Sequence, residues 1–130
     1  MATARDIMKT ELVTVQEGTS LNEAIELLMT HRISGLPVVD AQNNLVGILT
    51  EKDTMKLLYE KPGTCNTVSD LMENRLRSFQ QDTPLDQVCD CLMANHFRRV
   101  PILSGTKLVG LISRADLMPT ILEAAAANSR

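Results

Sequence analysis

The sequence predicts an α+β fold made of two β-α-β-β-α repeats packed face to face through a pseudo-twofold axis. Three observations lead there. The first is an internal repeat: Asp6, Met8, Leu12, Gln16, Thr19, Leu21, Leu28, Met29 and Pro37 recur 64 residues later as Asp70, Met72, Leu76, Gln80, Thr83, Leu85, Leu92, Met93 and Pro101. One residue is then lost in a turn, and an offset of 63 pairs Leu45, Val46, Gly47 and Asp53 with Leu108, Val109, Gly110 and Asp116. The second is the stretch Leu45–Asp53, mirrored by Leu108–Asp116. Each is an apolar run followed by a hydroxyl residue and then an acid three positions on, the signature of a capped helix start. The third is composition: 44% of residues are apolar but only 2% aromatic, so the core must be aliphatic. A unit of about 60 residues is small for an independent fold, so the two halves are expected to share their apolar sheet faces.

Within each repeat the elements follow from local pattern. A short extended segment opens it, Leu12–Val15 and Leu76–Phe79. Thr19 and Thr83 are the expected helix caps, with Pro84 at the favoured first helical position. Leu21, Ala24, Ile25, Leu28 and Met29 then form one stripe, matched by Leu85, Val88, Cys89, Leu92 and Met93. Two strands joined by a polar turn come next, Leu36–Val39 with Leu45–Leu49, and Val100–Leu103 with Leu108–Ile112. Second helices are expected over Glu51–Glu60 and Arg114–Ala127, the latter bent or interrupted at Pro119 and fraying in its alanine-rich tail. Lys61-Pro62-Gly63-Thr64 breaks the chain, which divides it into repeats over 1–62 and 63–130.

Composition also excludes functions. The net charge is −3 and no basic face is interleaved with aromatic residues, which argues against a nucleic-acid partner. No apolar run approaches the ~18–20 residues of a membrane span, and Met1–Asp6 lacks the apolar stretch of a signal peptide. Cys65, Cys89 and Cys91 cannot all pair within one chain, and Cys89-Asp90-Cys91 has no zinc spacing. Free thiols in a reducing cytoplasm are the expectation. There is no GxxxxGK[ST], no GxSxG and no histidine placed to activate Thr50 or Ser113, so the chain does not read as an enzyme.

The strand-to-helix junctions are where chemistry is expected. Unpaired N–H groups and the positive end of a helix dipole suit an anion. The hydroxyl–acid pairs Thr50/Asp53 and Ser113/Asp116 have a purely structural reading as caps. The adjacent Arg98-Arg99 has two readings, a solvated charge pair or a fork for phosphate. His31 and His96 fall at helix C-termini, where a cation suits the dipole, and neither is assigned to a metal. Met8, Met29, Met72 and Met93 read as aliphatic core or dimer contacts.

The doubled order of Asp-x-Met, helix cap, apolar-Pro-apolar strand and Gly-x-x-[Thr/Ser]-x-x-Asp resembles the CBS domain, named for cystathionine β-synthase. Two in tandem resemble a CBS pair, or Bateman module, over about Ala4–Leu122, here as a free-standing module. The resemblance implies a regulatory, ligand-sensing role. Adenosyl ligands, AMP, ADP or ATP, would occupy clefts between the two repeats without turnover, S-adenosylmethionine or empty scaffolding clefts being the alternatives. It implies a homodimer and an unidentified effector protein. Residue by residue, Asp53 and Asp116 match the acid that accepts from ribose hydroxyls, and Thr50 and Ser113 the hydroxyl at ribose or phosphate. Arg98, Arg99, Val100 and Pro101 match the phosphate-contacting stretch, with Arg114 close by. Its first copy is Ser34, Gly35, Leu36 and Pro37, which lacks the basic pair. Leu12, Val13 and Thr14, with Leu76, Arg77 and Ser78, match the segment whose backbone reads the adenine edge.

Overall fold

A computed structural model of the chain describes residues 2–94 and 97–129; His96 lies outside the described residues. Its elements are α1 (Ala4–Ile7), α2 (Leu21–His31), β1 (Gly35–Val39), β2 (Leu45–Thr50), α3 (Glu51–Thr54), α4 (Val68–Leu71), β3 (Phe79–Gln80), α5 (Leu85–Ala94), β4 (Arg99–Ser104), β5 (Lys107–Ser113) and α6 (Arg114–Asn128). A 3₁₀ turn, Met55–Leu58, follows α3. The fold is α+β, and it divides into two compact units that cut across the sequence repeats. One comprises Val13–Leu76; the other joins Met1–Leu12 to Arg77–Arg130. These bodies differ from the sequence repeats because each repeat donates its leading segment to the other.

Three hydrogen bonds fix that donation, and each occurs twice, 64 residues apart. In one unit Ala4 N–H donates to Thr83 O (2.9 Å), Arg5 N–H to Gln81 O (2.9 Å), and Leu85 N–H to Ala2 O (3.0 Å). In the other, Val68 N–H donates to Thr19 O (2.9 Å), Ser69 N–H to Glu17 O (3.1 Å), and Leu21 N–H to Asn66 O (3.0 Å). Short helices α1 and α4 thus take up backbone groups at the starts of α5 and α2, which would otherwise lack partners. Neither short helix was foreseen from periodicity, since four residues carry too little pattern.

The sheet of unit Val13–Leu76 is the antiparallel hairpin β1–β2, with Leu36 opposite Leu49 and Gly35 opposite Thr50. Asp40 shapes its turn by accepting the N–H groups of Gln42 and Asn44, both at 2.9 Å. Val15 bridges Val38 in parallel on one edge, and Glu73 bridges Ile48 on the other. The second unit repeats the plan: β3 runs parallel to β4, β4 pairs antiparallel with β5, and Lys9 bridges Leu111 at the far edge. Each sheet packs an aliphatic core beneath its long helix. Leu21, Ala24 and Leu28 meet Leu36, Val38, Leu49, Val68 and Leu71 in one unit. Leu85, Val88, Cys91 and Leu92 meet Ala4, Val100, Ile102, Ile112 and Leu117 in the other.

Gly47 and Gly110 are required by those edge segments. A Cβ on Gly110 would lie 2.5 Å from Met8 Sδ and 2.9 Å from Met8 Cβ; one on Gly47 would lie 2.7 Å from Met72 Sδ and 3.1 Å from the Glu73 carbonyl. The recurrence of Asp-x-Met and of the strand glycine is therefore one feature, a methionine laid across a bare backbone.

Several local expectations shift. The cap of α2 is Ser20, whose Oγ accepts from Glu23 N–H at 3.1 Å, whereas Thr19 Oγ1 accepts from Gln16 N–H at 3.1 Å within the preceding turn. Pro84 consequently precedes α5 rather than opening it. Met29 and Met93 are 73% and 77% exposed, so they are no part of the core of either unit. Cys91 is buried and Cys89 half-buried, since the buried stripe of α5 runs through Leu85, Val88, Cys91 and Leu92. The helix expected over Glu51–Glu60 is one α-turn and one 3₁₀ turn. Helix α6 runs unbroken through Pro119 to Asn128, carried by Ala124–Ala127, the best helix formers available.

Among the described residues, four hydroxyl–acid boxes start helices. Besides Thr50/Asp53 and Ser113/Asp116, Thr3 N–H donates to Asp6 Oδ2 at 2.8 Å and Thr67 N–H to Asp70 Oδ2 at 3.0 Å. Asn66 N–H adds a 2.8 Å bond to Asp70, and the backbone donors of Thr67 and Asn66 hold its carboxyl below the usual aspartate range.

Two outcomes follow from this packing. Gly110→Ala should lower stability by about 1–3 kcal/mol through overpacking against Met8, read as a shift in urea midpoint; an unchanged midpoint would mean that the Met8 contact is dispensable. The lowered folded-state pKa of Asp70 makes its contribution complete above the unfolded value of about 3.9 and lost as pH falls through the folded value. Asp70→Asn should therefore melt earlier than the parent at pH 7, with the gap closing in acid. A gap that stays constant with pH would refute the linkage.

Candidate functional site

The junction that ends β5 is the more elaborate of the two. Ser113 is extended and caps α6. Its N–H and its hydroxyl both donate to Asp116 Oδ2, at 2.8 and 2.9 Å, and Asp116 N–H donates back to Ser113 Oγ at 3.4 Å. One carboxylate oxygen is thereby consumed by the cap. The other, Oδ1, faces Lys9 Nζ at 3.7 Å, and the Asp116 side chain is 10% exposed. Arg99 stands directly opposite Ser113 in the β4–β5 ladder, followed by buried Val100 and Pro101. Arg98 is exposed one residue earlier. The Arg114 guanidinium donates to Leu92 O at 3.1 Å, satisfying a carbonyl in the last turn of α5.

The junction ending β2 has the same frame. Thr50 N–H donates to Asp53 Oδ2 at 2.9 Å and Asp53 N–H to Thr50 Oγ1 at 3.2 Å. Gly35 is opposite Thr50 in the ladder, and Ser34 O accepts from Glu51 N–H at 2.9 Å. Leu36 and Pro37 are buried in β1. The fold thus brings Gly35, Thr50 and Asp53 together in one unit and Arg99, Ser113 and Asp116 in the other.

The remaining candidates lie on the opposite edge of each sheet. Leu12 and Leu76 are half-buried and end the stretches at which the units divide. Val13 and Thr14, also half-buried, lead into Val15, which donates to Pro37 O at 3.1 Å. Arg77 and Ser78 lead into β3, and the Arg77 guanidinium lies 5.5 Å above the Phe79 ring. One central strand, β1 or β4, separates each of these segments from its junction, a distance of roughly 10 Å at ~4.8 Å per strand spacing.

Lys9 was missed by sequence reasoning. Its signal was available, since it follows the recurrent Met8 and occupies the position that Glu73 holds in the other copy. Among the described residues no group of three or more His, Cys, Asp or Glu side chains is arranged to hold a metal. His31 is exposed at the end of α2. No helix among the described residues is long and apolar enough to cross a membrane.

With that geometry in hand, comparison with known proteins places the chain. It matches the CBS domain over residues 4–60 and again over 68–123. This chain belongs to the CBS domain family, which it enters as a tandem pair. An uncharacterized protein of Methanocaldococcus jannaschii is 30% identical over 114 residues, 88% of this chain and 41% of that protein. The chain spans less than half the length of that relative. Among solved structures, CBSX2 of Arabidopsis thaliana in complex with AMP aligns with TM-score 0.85 at 29% identity, covering 96% of this chain and 99% of that one. The CBS domain pair of protein MJ0100, in complex with 5′-methylthioadenosine and S-adenosyl-L-methionine, aligns at 0.81 with 26% identity, covering 95% and 98%.

Proposed function

We propose that this chain is a regulatory module that binds an adenosyl ligand of the AMP, ADP or ATP class without turning it over. The observation that carries this reading is the Ser113–Asp116 junction. It presents a fixed, nearly buried carboxylate beside basic residues, on a fold whose relatives include a pair in complex with AMP. In this reading Asp116 accepts from the ribose hydroxyls, Ser113 approaches ribose or phosphate, and Arg98 and Arg99 take the phosphate. Thr50 and Asp53 repeat the first two roles in the other unit. The backbone of residues 12–14 and 76–78 meets adenine. A nucleoside placed across the sheet end in this way joins edge segment, central strand and junction, so ligand binding favours whichever packing of the chain it fits better. Both junction hydroxyls take part in their helix caps: Thr50 Oγ1 accepts from Asp53 N–H, and the Ser113 hydroxyl donates to Asp116 Oδ2. Cys65, Cys89 and Cys91 as reduced thiols suit a reducing cytoplasm. The output would pass to an effector protein.

The partner in assembly is a second copy of this chain. Met29, Met55, Leu58 and Tyr59 are exposed in one unit, and Met93, Met118, Ile121 and Leu122 are exposed in the other. These are equivalent positions, separated by 64 residues for the first pair and 63 for the rest. An apolar patch written twice into a duplicated chain supplies two matching surfaces per copy, which two copies can cover mutually and close.

Thermal melting with AMP, ADP, ATP and S-adenosylmethionine tests the ligand reading. A ligand at one hundred times its Kd adds ~2.7 kcal/mol of native stability, a rise of several degrees at this chain length. Asp116→Ala should abolish that rise while the apo protein still melts cooperatively. No rise with any of the four would leave an oligomerisation scaffold as the reading. For the assembly, sedimentation should give a dimer mass for the parent and a monomer mass for Met118→Glu/Ile121→Glu; a dimer that survives the double change places the interface elsewhere.

A further inference from the structure

The two junctions share a backbone but differ in charge at four corresponding positions near the acid. Lys9 and Glu73 occupy equivalent places, each locked into the outer edge of a sheet by two backbone bonds. Lys9 exchanges bonds of 2.9 and 3.0 Å with Leu111, and Glu73 exchanges two of 2.9 Å with Ile48. Arg98 corresponds to Ser34, Arg99 to Gly35, and Arg114 to Glu51. Around Asp116 there are therefore four basic residues; around Asp53 the same four positions hold two acids and two uncharged residues.

We propose that phosphate recognition in this chain is confined to the Asp116 junction, and that Lys9 is the residue that sets it. This rests on the adenosyl-binding reading and deepens it. A carboxylate that holds ribose repels the phosphate of the same ligand unless its charge is offset nearby. Lys9 supplies the offset: its ammonium lies 3.7 Å from Asp116 Oδ1, on a side chain that is 71% exposed. An ammonium has three donors and no acceptor, so one can face the carboxylate while the others reach an incoming phosphate. The ladder bonds hold the backbone of Lys9, so only the side chain has to be ordered. At the Asp53 junction the same position adds a second negative charge. Glu73 Oε1 accepts Arg75 N–H at 2.8 Å, which fixes that carboxylate close to its own backbone. Exposed charges within roughly one Debye length, ~8–10 Å, are felt by a ligand at physiological salt. With Glu73 and Glu51 where the other junction has Lys9 and Arg114, and Lys52 offsetting only one of these acids, the Asp53 junction favours phosphate less. Lys9 lies in sequence at the head of the first repeat yet acts in the unit built on the second, a consequence of the segment exchange.

Isothermal titration of the full chain with ATP, AMP and adenosine tests this. The parent should bind one ATP per chain, more tightly than adenosine. Lys9→Glu, which installs the residue found at the equivalent position, should weaken ATP by about tenfold or more, the scale of a lost charged contact, and adenosine by less than about twofold. Lys9→Met should fall between for ATP, and Lys9→Arg should restore binding. Melting of each variant without ligand checks that the fold is intact. Two equivalents of ATP per chain at similar affinity would overturn the confinement. Equal losses for adenosine and ATP would overturn the phosphate role, leaving Lys9 as a positioner of Asp116. If the parent binds none of the three nor S-adenosylmethionine, the adenosyl reading itself fails and this inference falls with it.

Discussion

Each β-hairpin in this chain lacks a neighbour along one edge, and the segment that supplies it comes from the head of the opposite repeat. The ladder bonds of Lys9 with Leu111 and of Glu73 with Ile48 complete the sheets, and the short helices before them close the starts of α5 and α2. An unpaired sheet edge presents a row of unsatisfied donors and acceptors. Pairing it within the chain removes that liability and makes each half depend on the other for completion. Gly47 and Gly110 follow from this arrangement, since the crossing methionines leave no room for a side chain.

The same exchange explains how a duplicated scaffold acquires two differently charged junctions. The capping boxes Thr50/Asp53 and Ser113/Asp116 share their two backbone–side-chain bonds, which place an acid at the corresponding point of each junction; the Ser113 hydroxyl adds a third bond. Those bonds supply stability and also orient the acid, because the oxygen committed to the cap fixes the direction of the other. What differs is the ring of side chains set around each acid. That ring is drawn from both repeats, so Lys9 and Glu73 could diverge without disturbing hairpin or cap. Fold and chemistry are separable here, as they are wherever function rests on residues placed upon a shared architecture.

Exposed apolar surface shows a comparable division. Burial on α2 and α5 is confined to the side facing its own sheet, and Met29 and Met93 fall outside it even though both continue the apolar stripe in sequence. On α6 only Leu117 is buried, while Met118, Ile121 and Leu122 are not. A wide apolar stripe on a helix reports two buried faces as readily as one. Periodicity cannot tell a core contact from an exposed apolar surface.

The sequence by itself determined the duplication, the α+β class, the hairpins and both strand-to-helix junctions with their hydroxyl–acid boxes. These depend on local pattern, on turn chemistry and on residues three apart, all of which are visible in one dimension. Of the stretches Ser34–Pro37 and Arg98–Pro101, the ladders set Gly35 opposite Thr50 and Arg99 opposite Ser113. Only the tertiary structure decided that Ser20 rather than Thr19 caps α2, because the choice depends on the turn closed by Thr19 and Gln16. It alone showed that the compact units are not the repeats. Repeat boundaries record how the gene was copied, whereas units are set by which backbone edges pair, and a segment of a dozen residues pairs wherever an edge is open. For that reason Lys9, unremarkable in sequence, stands against Asp116.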